Sequence, residues 1–153
     1  MKNAINNGSM GSLNSHEEVE LAEKLIEIHP WAEMVRFART GGEACAIAIR
    51  IARASSGKSH IAFCGYHGWH DWYLSSNLSN DSNLSNQLLP GLSTNGVPSE
   101  LKGTAHPFLY NNIDSFYDIF KKYGEDIGVI IMEPQRGNAP KNNFLKKIRD
   151  YAS

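Results

Sequence analysis

Apolar residues recur at helical spacing from Val19 through Ala22, Leu25 and Ile26 and stop at Pro30. Ser15 followed by Glu18 just ahead of that run has the form of a capping box, so the pattern predicts a helix from about His16 to His29. Met34 to Ala38 is short and mostly apolar, which suits a buried strand. After Thr40, Gly41 and Gly42 the periodicity returns. Ala44, Ile47, Ala48 and Ile51 are expected on one face of a second helix, about Gly42 to Ala54, with Arg50 and Arg53 elsewhere. Ser59 to Cys64 again reads as a strand, and it delivers the chain into the aromatic loop GYHGWHDWYL.

The pattern then breaks down. Between Asn77 and Gly103 the chain is rich in Asn, Ser, Leu, Gly and Pro without sustained periodicity, and a loop of that length is expected to be functional or covered by other segments. Beyond it lie an expected strand at Pro107 to Tyr110, a helix at Ile113 to Tyr123 with Gly124 just past its end, and a buried strand at Val129 to Met132. A last helix starts near Asn143. Strands alternating with helices predict an α/β domain with a mostly parallel sheet and flanking helices, whose ligands bind at the carboxyl ends of the strands. Three loops fall there: Arg39 to Glu43, Gly65 to Asp71, and Glu133 to Ala139. The first eleven residues are polar, carry glycine and read as an entry loop.

Composition narrows the partners more than the fold. Fifteen basic and sixteen acidic residues in 153 give a formal charge of -1, which offers no general field for nucleic acid or an anionic membrane. Small molecules are the expected partners. The longest apolar runs fall far short of the roughly 20 residues a membrane-spanning helix needs. Two cysteines without an export signal suggest reduced thiols and a cytoplasmic setting.

Each candidate site admits a plainer alternative. Thr40, Gly41 and Gly42 between a strand and a helix can aim N–H groups at a phosphate, or can simply make a tight turn. Ser55 to Ser59 ends like a nucleotide-binding P-loop, but Ala52 stands where that motif needs glycine, and the segment closes a helix where it should follow a strand. Nucleoside triphosphate binding is therefore rejected. Cys64, His67, His70 and Asp71 are all of metal-ligating type, yet their spacing lacks a second ligand pair of known geometry, so no metal is expected. Tyr66 offers a flat face for a planar ligand or for packing. Glu133 stands where a strand meets the ligand edge, with Asn138 a few residues on as a hydrogen-bonding group.

Taken together, RFARTGGEACAIAIRIARA, IAFCGYHGWHDW and IIMEPQRGNAP resemble the class III aminotransferases, and within them the glutamate-1-semialdehyde aminomutase branch. The resemblance implies part of the large domain of a fold type I transferase that uses pyridoxal 5'-phosphate. Thr40, Gly41 and Gly42 match the segment that wraps the cofactor phosphate. Gly42 departs from the family's usual Ser or Thr, which would leave that contact to backbone N–H groups. Tyr66, His67 and Gly68 match the Y-H-G whose tyrosine stacks on the pyridine ring, and Glu133 and Asn138 match the E-P-x-x-G-N turn. Arg136 is a candidate for holding a substrate carboxylate or phosphate, or a solvated surface arginine.

The family's pyridinium aspartate and its Schiff-base lysine are expected beyond the Glu133-Pro134 turn, further along than Ser153. The chain is thus expected to be an internal piece of an aminotransferase or aminomutase that is inactive alone and carries no catalytic residue. The complete enzyme is expected to be a homodimer moving an amino group between a small amino donor and a carbonyl compound. The alternative is a non-catalytic module that binds a phosphorylated cofactor or pairs with a partner chain.

Overall fold

The computed structural model describes residues 5–6, 15–87, 92–135 and 137–153. Most of the expected entry loop lies outside these residues. Residues 1–37 and 38–153 form two separate compact units. In the first, helix α1 (His16–Ile28) has the predicted capping box: Ser15 Oγ accepts from Glu18 N at 3.3 Å, and Glu18 Oε2 accepts from Ser15 N at 3.1 Å. The segment Met34 to Ala38 is not a strand. It pairs with no strand among the described residues, and Met34 is 86% exposed. Without a partner for its N–H and C=O groups, an apolar stretch alone does not make sheet.

The second unit is a small parallel sheet wrapped by helices. Its strands β1 (His60–Cys64), β2 (Ala105–Pro107) and β3 (Ile127–Met132) lie in the order β2-β1-β3, all parallel. Side chains of a strand alternate between faces, and β1 buries both. Ile61 and Phe63 pack with Ile49, Trp72, Tyr73 and Leu84 on one face. Ala62 and Cys64 pack with Phe108, Phe116, Phe144 and Ile148 on the other. Phe63 is fully buried, and burial of a side chain of that size contributes about 1.5–3 kcal/mol.

Helix α2 (Gly41–Ser56) follows the expected bounds closely but buries a different face. Ile49 is 2% exposed and Cys45 and Ala46 pack beside it, whereas Ile51 is 58% exposed. Alanine and isoleucine surround most of this helix, so periodicity alone admits more than one stripe. Arg53 shares the packed side, where its Nε donates to Ser59 O at 2.9 Å and its Nη2 to Thr104 Oγ1 at 3.4 Å. Burial lowers the pKa of that guanidinium.

Two strands also shift. β2 begins two residues before the expected Pro107 and stops at that proline, after which Phe108 N donates to Phe63 O at 2.9 Å. A proline lacks the donor needed to extend a ladder and fits at the end of an edge strand. β3 starts at Ile127, and only that residue is fully buried; Val129 to Met132 are half-buried because β1 is its one hydrogen-bonded neighbour among the described strands. Beside it, an open groove of about 860 Å³ is lined by Lys58, Phe120, Tyr123, Gly128 and Tyr151 at the amino end of the sheet.

The aromatic loop ends in a short helix, α3 (Asp71–Leu74), and a second one, α4 (Ser76–Ser79), follows directly after it. The long segment that follows is therefore less irregular than expected. Asn77 lies in α4, a 3-10 turn spans Ser99–Leu101, and Leu84 is fully buried. Helix α5 (Ile113–Tyr123) has the predicted bounds, although Gly124 stays right-handed at φ -54° because its N–H still bonds Phe120 O. Helix α6 (Phe144–Tyr151) closes the chain. None of the described helices is long and apolar enough to cross a membrane.

At the amino end of the sheet His106 stacks on Tyr123 with centroids 4.0 Å apart, and its Nε2 lies 3.2 Å from His60 Nδ1. Burial, His60 and Lys122 lower the His106 pKa from 6.5 to about 4. A histidine depressed in this way binds its proton more readily when unfolded. Its contribution is complete above the unfolded value and is lost as pH falls from 6.5 towards about 4. His106→Phe should therefore flatten the fall in urea midpoint between about pH 7 and about pH 5. An unchanged fall in the variant would show that His106 does not set this acid sensitivity.

Candidate functional site

The carboxyl end of β1 is where the loops converge, and the start of α2 supplies the polar groups. Thr40 is the N-cap: its Oγ1 accepts from Glu43 N at 3.2 Å, while Glu43 Oε2 accepts from Thr40 N at 3.1 Å and Arg39 N at 2.9 Å. This box uses the donors of Arg39, Thr40 and Glu43. The N–H groups of Gly41 and Gly42 have no acceptor among the described residues, so the helix presents two donors at the positive end of its dipole.

The loop after β1 comes directly onto this helix start. Gly68 has φ +100°, and a Cβ added there would stand 2.7 Å from Gly42 Cα. Neither the angle nor the space admits a side chain. A Cβ on Gly42 would in turn meet the His70 ring, 3.1 Å from Cδ2 and 3.2 Å from Nε2. Trp69 stacks on that imidazole at 5.4 Å and 14°. Two loops separated in the sequence thus meet through backbone.

Gly65 anchors the same loop at its base. Its N–H donates to Gln87 Oε1 at 2.7 Å and its carbonyl accepts from Tyr73 Oη at 3.3 Å. Its φ is +100°, and a Cβ would fall 2.6 Å from Glu133 Oε2. Glu133 therefore packs against the exit of β1, and its N–H donates to Cys64 O at 3.1 Å. The carboxylate leaves an electrostatic mark there. Burial first and Glu133 second push the Cys64 thiol up to about 12, and the same two causes raise Cys45.

The predicted residues separate into those brought together and those left apart. Thr40, Gly41, Gly42 and Gly68 share one place, while Tyr66, two residues before Gly68, is half-buried with its ring edge-on to Tyr73 at 5.7 Å and 86°. His67 is turned into the core: it is 6% exposed, and its Nε2 lies 3.0 Å from Cys64 O. Asn138 is exposed, just after Gly137, and makes no side-chain hydrogen bond among the described residues. Arg136 lies outside the described residues. Among the described residues no group of three or more His, Cys, Asp or Glu side chains is placed to hold a metal ion.

Several supporting residues had no visible signal. Gln87 joins the loop base to β2 by donating from Nε2 to Phe108 O at 3.3 Å, yet it sits in the segment with least periodicity. Tyr110 Oη donates to Pro134 O at 3.0 Å and Asn111 Nδ2 to Ala139 O at 3.1 Å, which hold the turn after β3 at the same edge. Only Asn111 carries a hint, as an asparagine at φ +60°.

The Gly42–Gly68 approach gives a sharp stability contrast. Gly68→Ala should cost about 1–3 kcal/mol in urea unfolding, because backbone rather than a movable side chain blocks the new methyl. Gly41→Ala, with nothing within 4 Å, should stay within about 0.5 kcal/mol of the parent. Equal effects at the two positions would mean that the loops do not meet as described.

With this geometry in view, the comparisons with known proteins are consistent. The family model for aminotransferase class-III matches residues 1–153. Glutamate-1-semialdehyde 2,1-aminomutases from Persephonella marina and Aquifex aeolicus are 38% and 37% identical, over 98% and 93% of this chain. The chain spans about a third of the length of these relatives, 35% and 34%. Among solved structures, an omega-transaminase from Sphaerobacter thermophilus superposes with a TM-score of 0.79 at 24% identity, covering 99% of this chain and 36% of that one. A glutamate-1-semialdehyde-aminomutase from Pseudomonas aeruginosa gives 0.67 at 18% identity, covering 97% and 32%. These two likenesses establish the fold, and the family match establishes descent: the chain belongs to the class-III aminotransferases.

Proposed function

We propose that this chain forms the cofactor-holding part of an enzyme that moves an amino group with pyridoxal 5'-phosphate, either between molecules as a transaminase or within one as an aminomutase. The observation that carries the reading is the meeting of Gly42 and Gly68, which sets two open helix-start donors beside the Tyr66 loop. The donor set suits the cofactor. Free backbone N–H groups at a helix start suit a phosphate monoester, and a flat aromatic face suits a pyridine ring.

Each residue has a distinct part in this proposal. Gly41 and Gly42 donate to the phosphate, and Thr40 fixes the helix start through its cap while keeping a hydroxyl proton to offer. Tyr66 covers one face of the ring. His67, bonded to the end of β1, positions that tyrosine from below. Glu133 holds the exit of β1 in place, and Asn138 stands on the next turn as a donor to a ring oxygen. Arg136 would receive a substrate carboxylate. When bound, the cofactor supplies the electron sink that lets an amino group leave one carbon and join another.

None of the chain's lysines is assigned a catalytic part. Lys58 lines the groove at the amino end of the sheet, opposite the proposed cofactor edge. Lys146 pairs with Asp150 at 2.6 Å on the exposed side of α6. The part proposed for this chain is accordingly to hold the cofactor. The relatives named aminomutase favour a semialdehyde or a similar amino-carbonyl compound as the substrate of the complete enzyme.

Equilibrium dialysis against pyridoxal phosphate tests the reading. Tyr66→Ala should weaken binding about tenfold, since one stacked aromatic contact is worth of the order of 1 kcal/mol or more. Wild-type affinity in the variant, or no binding by the parent chain, would count against the proposed cofactor site.

A further inference from the structure

The space that a side chain at Gly42 would enter is taken. The Nε2 atom of His70 is 3.2 Å from the position of a Cβ on Gly42, at the second residue of α2. An imidazole nitrogen therefore stands in the space that a side chain at position 42 would need. The ring makes no hydrogen bond with another described residue, and its stack against Trp69 at 14° fixes its plane. Neutral imidazole carries one N–H donor, and it reaches further than a hydroxyl on the helix itself.

We propose that His70 is a phosphate-binding residue that supplies, from the neighbouring loop, the third donor that a hydroxyl at position 42 would otherwise provide. The inference rests on the cofactor reading above, and it explains a departure that the reading leaves open. Gly42 is small because His70 occupies its side-chain volume, and His70 is close because Gly68 lets its loop touch the helix. The phosphate then meets two backbone N–H groups from α2 and one imidazole from the loop after β1. The pair is reciprocal. A side chain at 42 and the imidazole at 70 exclude each other, while either one alone completes the donor set.

Binding of pyridoxal phosphate, pyridoxal and inorganic phosphate to the full chain, followed by dialysis and tryptophan quenching, separates the roles. The parent chain should hold pyridoxal phosphate more tightly than pyridoxal. His70→Ala should weaken pyridoxal phosphate and inorganic phosphate about tenfold and leave pyridoxal unchanged, and His70→Gln, which keeps a donor, should recover part of the loss. Gly42→Ser should lower the melting temperature in the His70 background but not in the His70→Ala background, and the double variant should regain the preference for phosphate.

Three results would overturn the proposal. Full preference retained by His70→Ala leaves the cofactor reading standing and removes His70 from it. Equal loss of pyridoxal and pyridoxal phosphate makes the histidine a support for the loop alone. A parent chain with no preference for the phosphorylated form would remove the cofactor reading together with this one.

Discussion

Contact between two peptide backbones, at Gly42 and Gly68, is the constraint on which the rest of the site depends. Side chains can shift to accommodate each other, but a Cα 2.7 Å from a would-be Cβ leaves no such freedom. The contact fixes where α2 begins relative to the end of β1. It also holds the loop that carries Tyr66 and His70 against the helix start. The parallel strands supply the platform, and this one approach sets the geometry on top of it.

The platform was largely legible in the sequence. The capping box at Ser15, the periodicity after Gly42, the apolar run into Cys64 and the periodicity of Ile113 to Tyr123 are local signals, and the corresponding elements have close to the expected bounds. Misreadings arose where a partner decides. Met34 to Ala38 has strand composition but no neighbour to pair with, and the packed face of α2 was ambiguous in a helix apolar nearly all round. β3 was read as buried from composition, while its exposure depends on what lies along its other edge.

The candidate site followed the same division. The residues that form the outline are short-range motifs, Thr40 to Gly42 and Tyr66 to Gly68, and both were visible as such. Their proximity was not visible, because only the fold brings them together. The histidines show the difference well. His67 and His70 are three apart in one loop, yet one turns into the core to meet the Cys64 carbonyl and the other lies over a helix terminus. Sequence spacing could group them as possible metal ligands; only the path of the loop through Gly68 separates them.

Gln87 has a consequence for how this chain can vary. A single amide reaches both Gly65 and the Phe108 carbonyl, so it clamps the exit of β1 to the end of β2 from a segment with little regular structure of its own. The chain beyond Gln87 can then change length without moving either clamp point, as long as Leu92 and Val97 keep their packing against the core, at an entropic cost that grows only slowly with length. Length differences among related chains should collect there, while the distance from Gln87 back to Gly65 stays constant.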